Sequence, residues 1–300
     1  MMKNLFGSLF LMFALVMPML AQAPAKPARA PGSIVASRVR GDVSAKNTID
    51  GTVATLHDGD KITENFTVTT AKGGAVILMF SNGATVSMNE DSILNIQEFQ
   101  QDPFSGPIKL ADLKKEPSTS VTKLNMTRGE LVGKVVHLNV DGGSEFTIAT
   151  PVGAAGIRGT TFQITFVPDG NGNATFSLMT TEGAVLFTKT GSVPLSVTTG
   201  LQIAATVTVN DTTKTGTATA TLPSTTTTTA ISAADLASIA AAAQTIITTV
   251  TNSNITVTPS NPTPTPAPAP APAPTPVIDN SAALPQTPAS RVTNGDGTGT

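Results

Sequence analysis

The chain contains no cysteine, no tryptophan and no tyrosine among its 300 residues. Without thiols there is no disulfide framework, no thiolate nucleophile and no sulfur-based zinc or iron–sulfur site. Without tryptophan or tyrosine, the aromatic platforms that stack sugars, bases or quaternary amines are reduced to phenylalanine and two histidines. Charge is also scarce: 13% of residues are ionisable, and the formal net charge is −2 with a pI near 5.7. A phosphate backbone needs clustered Lys and Arg, so nucleic acid is excluded as an expected partner. Only two histidines, His57 and His137, are present as bases for neutral pH.

What is present begins with an export signal. Lys3 is the sole charge before Lys26, an apolar run covers Leu5 to Leu20, and Ala21-Gln22-Ala23 offers small residues at a cleavage site. We expect residues 1–23 to be a cleaved signal peptide and the mature chain to be periplasmic or extracellular. Residues 24–33 read as a Pro/Ala linker. No later segment is expected to span a membrane.

Between residues 34 and 209 apolar and polar side chains alternate at period two, which predicts strands with one buried face. Phe162, Ile164 and Phe166 form one such face; Val193, Leu195 and Val197 a second; Ile203, Ala205, Val207 and Val209 a third. The run Ala75–Phe80 predicts a central strand, and Asn82-Gly83 predicts a type I′ hairpin into Thr85–Met88. Turn signals recur at Asp50-Gly51, Asp58-Gly59, Asp141-Gly142-Gly143 and 169–173. The segment from Gln100 to about Ser120 holds three prolines and reads as a surface loop. Gly41-Asp42-Val43 with Leu56, Gly59 and Ile62 is echoed by Gly183-Ala184-Val185 with Leu195, Gly200 and Ile203. Either two copies of one β unit or the narrow chemistry of turns accounts for that echo.

Beyond Val209 the composition changes. Six charged residues remain between 210 and 300, which predicts a Thr-rich linker over 210–231 and a Pro-rich disordered tail over 252–300. Between them, an amphipathic helix is expected over 232–251. Ser232 stands three residues before Asp235 as a cap, with Leu236, Ile239, Ala243, Ile246, Ile247 and Val250 on one stripe. The favoured reading has that stripe docked on the β domain. Proline at every second position from Pro262 to Pro276 would form a spacer of roughly 45 Å in polyproline II.

The stretch from Thr150 to Phe162, TPVGAAGIRGTTF, resembles the signature of the FecR domain, a module of bacterial envelopes. Val39–Val43, Gly83, the run Arg128-Gly129-Glu130-Leu131 and the run Glu182-Gly183-Ala184-Val185 agree with that family's layout. The resemblance spans about Ile34 to Ile203. It implies an all-β fold, a FecR-like β-roll or β-sandwich domain with a low-complexity C-terminal tail that contains one short helix. It also implies a habit of binding other envelope components. The best-known members carry a cytoplasmic anti-sigma segment and a membrane helix, which this chain departs from at its N-terminus. The motif residues singled out as structural or partner-binding are Thr150, Pro151, Gly156, Arg158, Gly159 and Thr160.

The chemical alternatives are weaker. Gly153, Gly156 and Gly159 lack the following helix that a phosphate loop requires and are expected to allow a tight backbone crossing. Arg158 is expected to be partly buried and paired inside the fold, with capture of a partner's carboxylate as the alternative. His57 beside Asp58 and Asp60 reads first as a turn, and His137 as a lone residue on a polar face. Asp169, Asn171 and Asn173 imitate a calcium loop but lack its bidentate Glu, so a hairpin turn is expected. No nucleophile, base and orienting group assemble, so no enzyme activity, cofactor or metal is expected. The leading expectation is a non-catalytic module that binds an unidentified envelope protein or polymer. The alternatives are a sensory accessory in transporter-linked signalling and a structural cell-surface component.

Overall fold

A computed structural model of the chain describes residues 29–189, 192–210 and 219–258. The expected signal peptide, the first part of the linker and the alternating-proline spacer lie outside the described residues. The strands in chain order are β1 (Ala30–Pro31), β2 (Ile34–Arg40), β3 (Val43–Asn47), β4 (Val53–Thr55), β5 (Lys61–Ile62), β6 (Phe66–Thr70) and β7 (Ala75–Phe80). They continue with β8 (Thr85–Met88), β9 (Ile93–Gln101), β10 (Ile108–Lys109), β11 (Ser120–Lys134), β12 (Glu145–Thr150), β13 (Gly153–Ile157) and β14 (Thr161–Pro168). The remainder are β15 (Asn173–Glu182), β16 (Ala184–Thr188), β17 (Leu195–Thr198), β18 (Leu201–Asn210), β19 (Thr219–Thr221), β20 (Thr229–Ala230), helix α1 (Ala233–Asn252) and β21 (Thr256–Val257).

Two sheets share one long strand. The first runs β5–β2–β7–β8–β11–β14–β15–β18, with β19 and β20 beside β18. The second runs β4–β3–β6–β9–β11–β12–β13–β16–β17, with β1 against the end of β9. β11 belongs to both: its first half pairs with β9 and β12, and from Gly129 onward it pairs with β8 and β14. The sheets face each other across one core. Phe80 of the first sheet meets Phe99 and Phe146 of the second edge-on, with ring centroids 5.2 and 6.2 Å apart, and Phe176 meets Phe187 at 5.4 Å. Such ring pairs add about 0.5–1.5 kcal/mol each beyond the area they bury. The all-β class expected is therefore observed, with Phe162, Ile164 and Phe166 all buried.

The echo between the two halves is a structural repeat. β2 leaves the first sheet through Gly41 and becomes β3 of the second; β4 doubles back, and after Gly59 the chain rejoins β2 as β5. β15, Gly183, β16, β17, Gly200 and β18 follow the same course. The returns are tied alike: Gly59 N–H donates to the Ala36 carbonyl at 2.9 Å and Gly200 N–H to the Thr180 carbonyl at 2.8 Å.

Several local expectations need correction. The β7–β8 hairpin forms, but Gly83 alone in its turn has positive φ, +92°. A type I′ turn needs positive φ at both central residues, so this is a three-residue loop closed by glycine. Asn82 is fully buried instead: its Nδ2 donates to Ser120 Oγ at 3.1 Å and Thr122 Oγ1 at 3.3 Å, and its Oδ1 accepts from Ala84 N at 3.0 Å. Val193 is exposed, because β17 starts only after Pro194. The expected linkers are partly folded. Ala30 and Pro31 pair with β9, and Leu222 inserts into the core after β19 has joined β18.

Helix α1 starts at Ser232, whose Oγ accepts from Asp235 N at 3.1 Å. Its buried side chains are Ile239, Ala243, Ile246 and Thr249, a narrower stripe than the sequence suggested; Leu236 and Ile247 remain 37% and 39% exposed. The helix packs across β8, β11, β14 and β15. After it, β21 pairs with β10, and Val257 packs with Ile77, Met79 and Leu110. The proline-bearing segment thus holds a strand and a buried leucine, with its three prolines outside the ladders, so it is more ordered than a surface loop. At 20 residues with a mean hydropathy of 1.3 in its best window, α1 is long and apolar enough by length and composition to cross a membrane.

Candidate functional site

The FecR-like motif occupies a corner where two chain segments change sheets. β12 and β13 form a hairpin whose turn is closed by Thr150 Oγ1, donating to the Gly153 carbonyl at 2.8 Å. Pro151 accepts from Ala220 N at 2.9 Å through its carbonyl. β13 then passes through Arg158, Gly159 and Thr160 into β14 of the other sheet, while β15 passes through Gly183 into β16 in the opposite sense. The crossing is backbone against backbone. A β-carbon on Gly183, whose φ is +79°, would lie 2.7 Å from the Gly159 carbonyl oxygen. Gly159, with φ of +70°, sits over His137, where a β-carbon would meet the His137 Cα at 3.3 Å. Thr160 is buried, its carbonyl takes Val135 N at 2.9 Å, and its hydroxyl has no hydrogen-bond partner among the described residues. Gly156 is different: the nearest atom to an added β-carbon is 3.6 Å away, and its φ is not positive.

Glu182 clamps the corner from its other side. It accepts from Lys134 Nζ and from Thr161 Oγ1, both at 2.8 Å. The Lys134 hydrogen bond, followed by that of Thr161, holds its carboxyl below the usual glutamate range. That arrangement spans β11, β14 and the end of β15.

Arg158 points away from this packing. The sequence suggested a partly buried, paired guanidinium; instead Arg158 is exposed, and it makes no hydrogen bond or ion pair among the described residues. The physical reason is the crossing itself: Gly159 and Thr160 fill the interior, so the preceding side chain is left on the outside. Arg158 borders a cleft of about 610 Å³ whose walls are Lys115–Ser118 and His137–Asp141. A single parallel bridge between Lys115 and His137 joins the walls. His137 is exposed as expected, yet not isolated, since it shares the cleft with Arg158.

One carboxylate of this cleft is already engaged. Glu116 is only 5% exposed, and its oxygens accept from Ser120 Oγ at 2.9 Å, from Asn139 N and from Ser144 Oγ. Burial of a carboxylate demands such hydrogen bonds. Sequence reasoning missed this residue, because a glutamate between lysine and proline in a charged stretch reads as solvated. The other candidates behave as turns. His57 Nδ1 is 3.4 Å from Asp60, whose carboxylate also accepts His57 N at 2.8 Å. Asp169 accepts from Asn171 N and Asn173 N at 2.7 and 3.1 Å inside the β14–β15 hairpin, and the first of these lowers its pKa most. No group of three His, Asp or Glu is placed to hold a metal ion among the described residues.

The family model described as FecR protein matches residues 66–186, so this stretch, which carries the whole motif corner, is a FecR domain. No curated protein matches the chain. Among solved structures, two crystal structures of a proposed anti-sigma factor from Parabacteroides distasonis ATCC 8503 are similar to it, at 14% and 15% identity with TM-scores of 0.33 and 0.34. Each comparison covers 51% of this chain and 58% of that one, so the chain spans less than two thirds of that protein's length.

Proposed function

We propose that this chain is an exported, non-catalytic regulatory or signalling protein that acts by binding another component of the cell envelope through the cleft beside Arg158. The observation that supports this reading is a motif arginine left exposed and unpaired at the lip of an open cleft, beside a close backbone crossing. A rigid corner that carries a free, bidentate donor is a recognition device: its geometry is set before a partner arrives, so little ordering entropy is lost on contact. The FecR domain supports the regulatory class, and the N-terminal signal pattern supports export.

The test is comparative capture from envelope fractions with the wild-type chain and with Arg158→Gln, whose melting temperatures should agree. A reproducible partner held by the wild type and lost by the variant supports the reading. Equal recovery by both chains, or recovery of nothing by either, contradicts it.

A further inference from the structure

The cleft also indicates what it binds, an inference that rests on the functional reading above. We propose that it receives a single carboxylate, borne by an acidic side chain of a polypeptide partner, in the fork of Arg158. The guanidinium offers five donors and no acceptor, and its planar fork matches a carboxylate through two parallel hydrogen bonds. The chain itself withholds both acidic groups of the cleft from it: Glu116 is committed to two serine hydroxyls and the Asn139 amide, and Asp141 makes no hydrogen bond or ion pair with Arg158. Lys115, on the facing wall, is likewise exposed and unpaired.

Charge distinguishes the class of anion. Two cations, Lys115 and Arg158, are balanced in the cleft by two carboxylates, Glu116 and Asp141. A site already neutral in sum accepts one additional negative charge beside its arginine more readily than two, which favours a carboxylate over a phosphate dianion. The lining distinguishes the carrier. Pro117, Leu138 and Val140 are the apolar residues of the cleft, and the imidazole of His137 is the one aromatic ring among its walls. A sugar finds only that small ring to stack on, whereas a peptide finds aliphatic contacts and backbone groups. The volume of about 610 Å³ suits a side chain with its flanking backbone.

The experiment is an NMR titration of the full chain, following the Arg158 Nε–H resonance. The probes are a capped Gly-Glu-Gly tripeptide, the matched Gly-Gln-Gly tripeptide, methyl phosphate and glucuronic acid. The Glu peptide should give a saturable shift with a Kd on the order of 1 mM, as suits one bidentate contact. The Gln peptide and methyl phosphate should bind about tenfold more weakly or not at all. Arg158→Lys should weaken the Glu peptide and Arg158→Gln should abolish its binding, with resonance dispersion retained in both. Equal response to Glu and Gln peptides, or no saturable response, overturns the proposal. Tighter binding of methyl phosphate shows a phosphate site, and tighter binding of glucuronic acid a polymer site; either result also overturns it. If envelope capture is lost in Arg158→Gln but the Glu peptide gives no saturable shift, the functional reading stands and this assignment alone fails.

Discussion

The carbonyl oxygen of Gly159 lies 2.7 Å from the point where Gly183 would place a β-carbon. Two chain segments running in opposite senses between the sheets thus touch through bare backbone, and this contact leaves Arg158 no interior to enter.

Gly183→Ala should therefore be costly. It combines a φ of +79° with a backbone clash that no side chain can relieve by turning away. A loss of about 2 kcal/mol or more is expected in denaturant unfolding. Gly156→Ala, with open space and ordinary φ, should change stability by less than about 1 kcal/mol. Equal losses would contradict the assigned crossing.

Thr160→Val should raise the melting temperature. The hydroxyl is buried without a partner among the described residues, and replacing it by a methyl group of like shape removes a desolvation cost of about 1–3 kcal/mol. A lower melting temperature would show that the hydroxyl has a hydrogen-bonding role in the corner.

Glu182 should titrate below the ordinary glutamate value in the folded chain, as its hydrogen bonds from Lys134 and Thr161 require. A depressed folded-state pKa contributes stability that is present above the unfolded-state value and is lost as pH falls through the folded one. The contribution is small, since the carboxylate is 65% exposed and screened by water. Carbon-detected NMR titration below pH 5 reads it directly, and Lys134→Met should move the value upward. An unchanged value in that variant would remove Lys134 as the cause.

Helix α1 should depend on few residues. Ile246 is buried to 1% exposure, and Ile246→Ala should cost about 2–4 kcal/mol if the helix unfolds together with the sandwich. Leu236→Ala, on the open side, should cost less than about 1 kcal/mol. Loss of helical circular dichroism in the first variant with the β signal intact would show that α1 folds separately.

These comparisons show where the sequence was legible. Period-two alternation revealed the buried faces of β14 and β18, and the spacing of Gly41, Gly59, Gly183 and Gly200 offered a repeated corner as one of two readings, because both are consequences of local backbone geometry. The helix cap at Ser232 was visible for the same reason. What stayed hidden depends on distant partners. Asn82 reads as a hairpin residue, but its burial depends on Ser120 and Thr122, 38 and 40 positions away. Leu222 lies in a Thr-rich stretch whose composition denies it a core, and only the seam beside β18 supplies one. Arg158 was placed on the wrong side of the surface because its exposure follows from the contact of Gly159 with Gly183, which no local pattern encodes.

The account depends on Arg158 being free, and arginine-selective modification of the native chain by a dicarbonyl reagent, mapped by mass spectrometry, tests this most directly. Arg29, which donates to Asp102 at 3.2 Å, is an internal reference. Arg158 should react several-fold faster than Arg29. A rate for Arg158 equal to or below that of Arg29 would mean that the chain already satisfies the guanidinium, and the binding cleft proposed here would have no free group to offer.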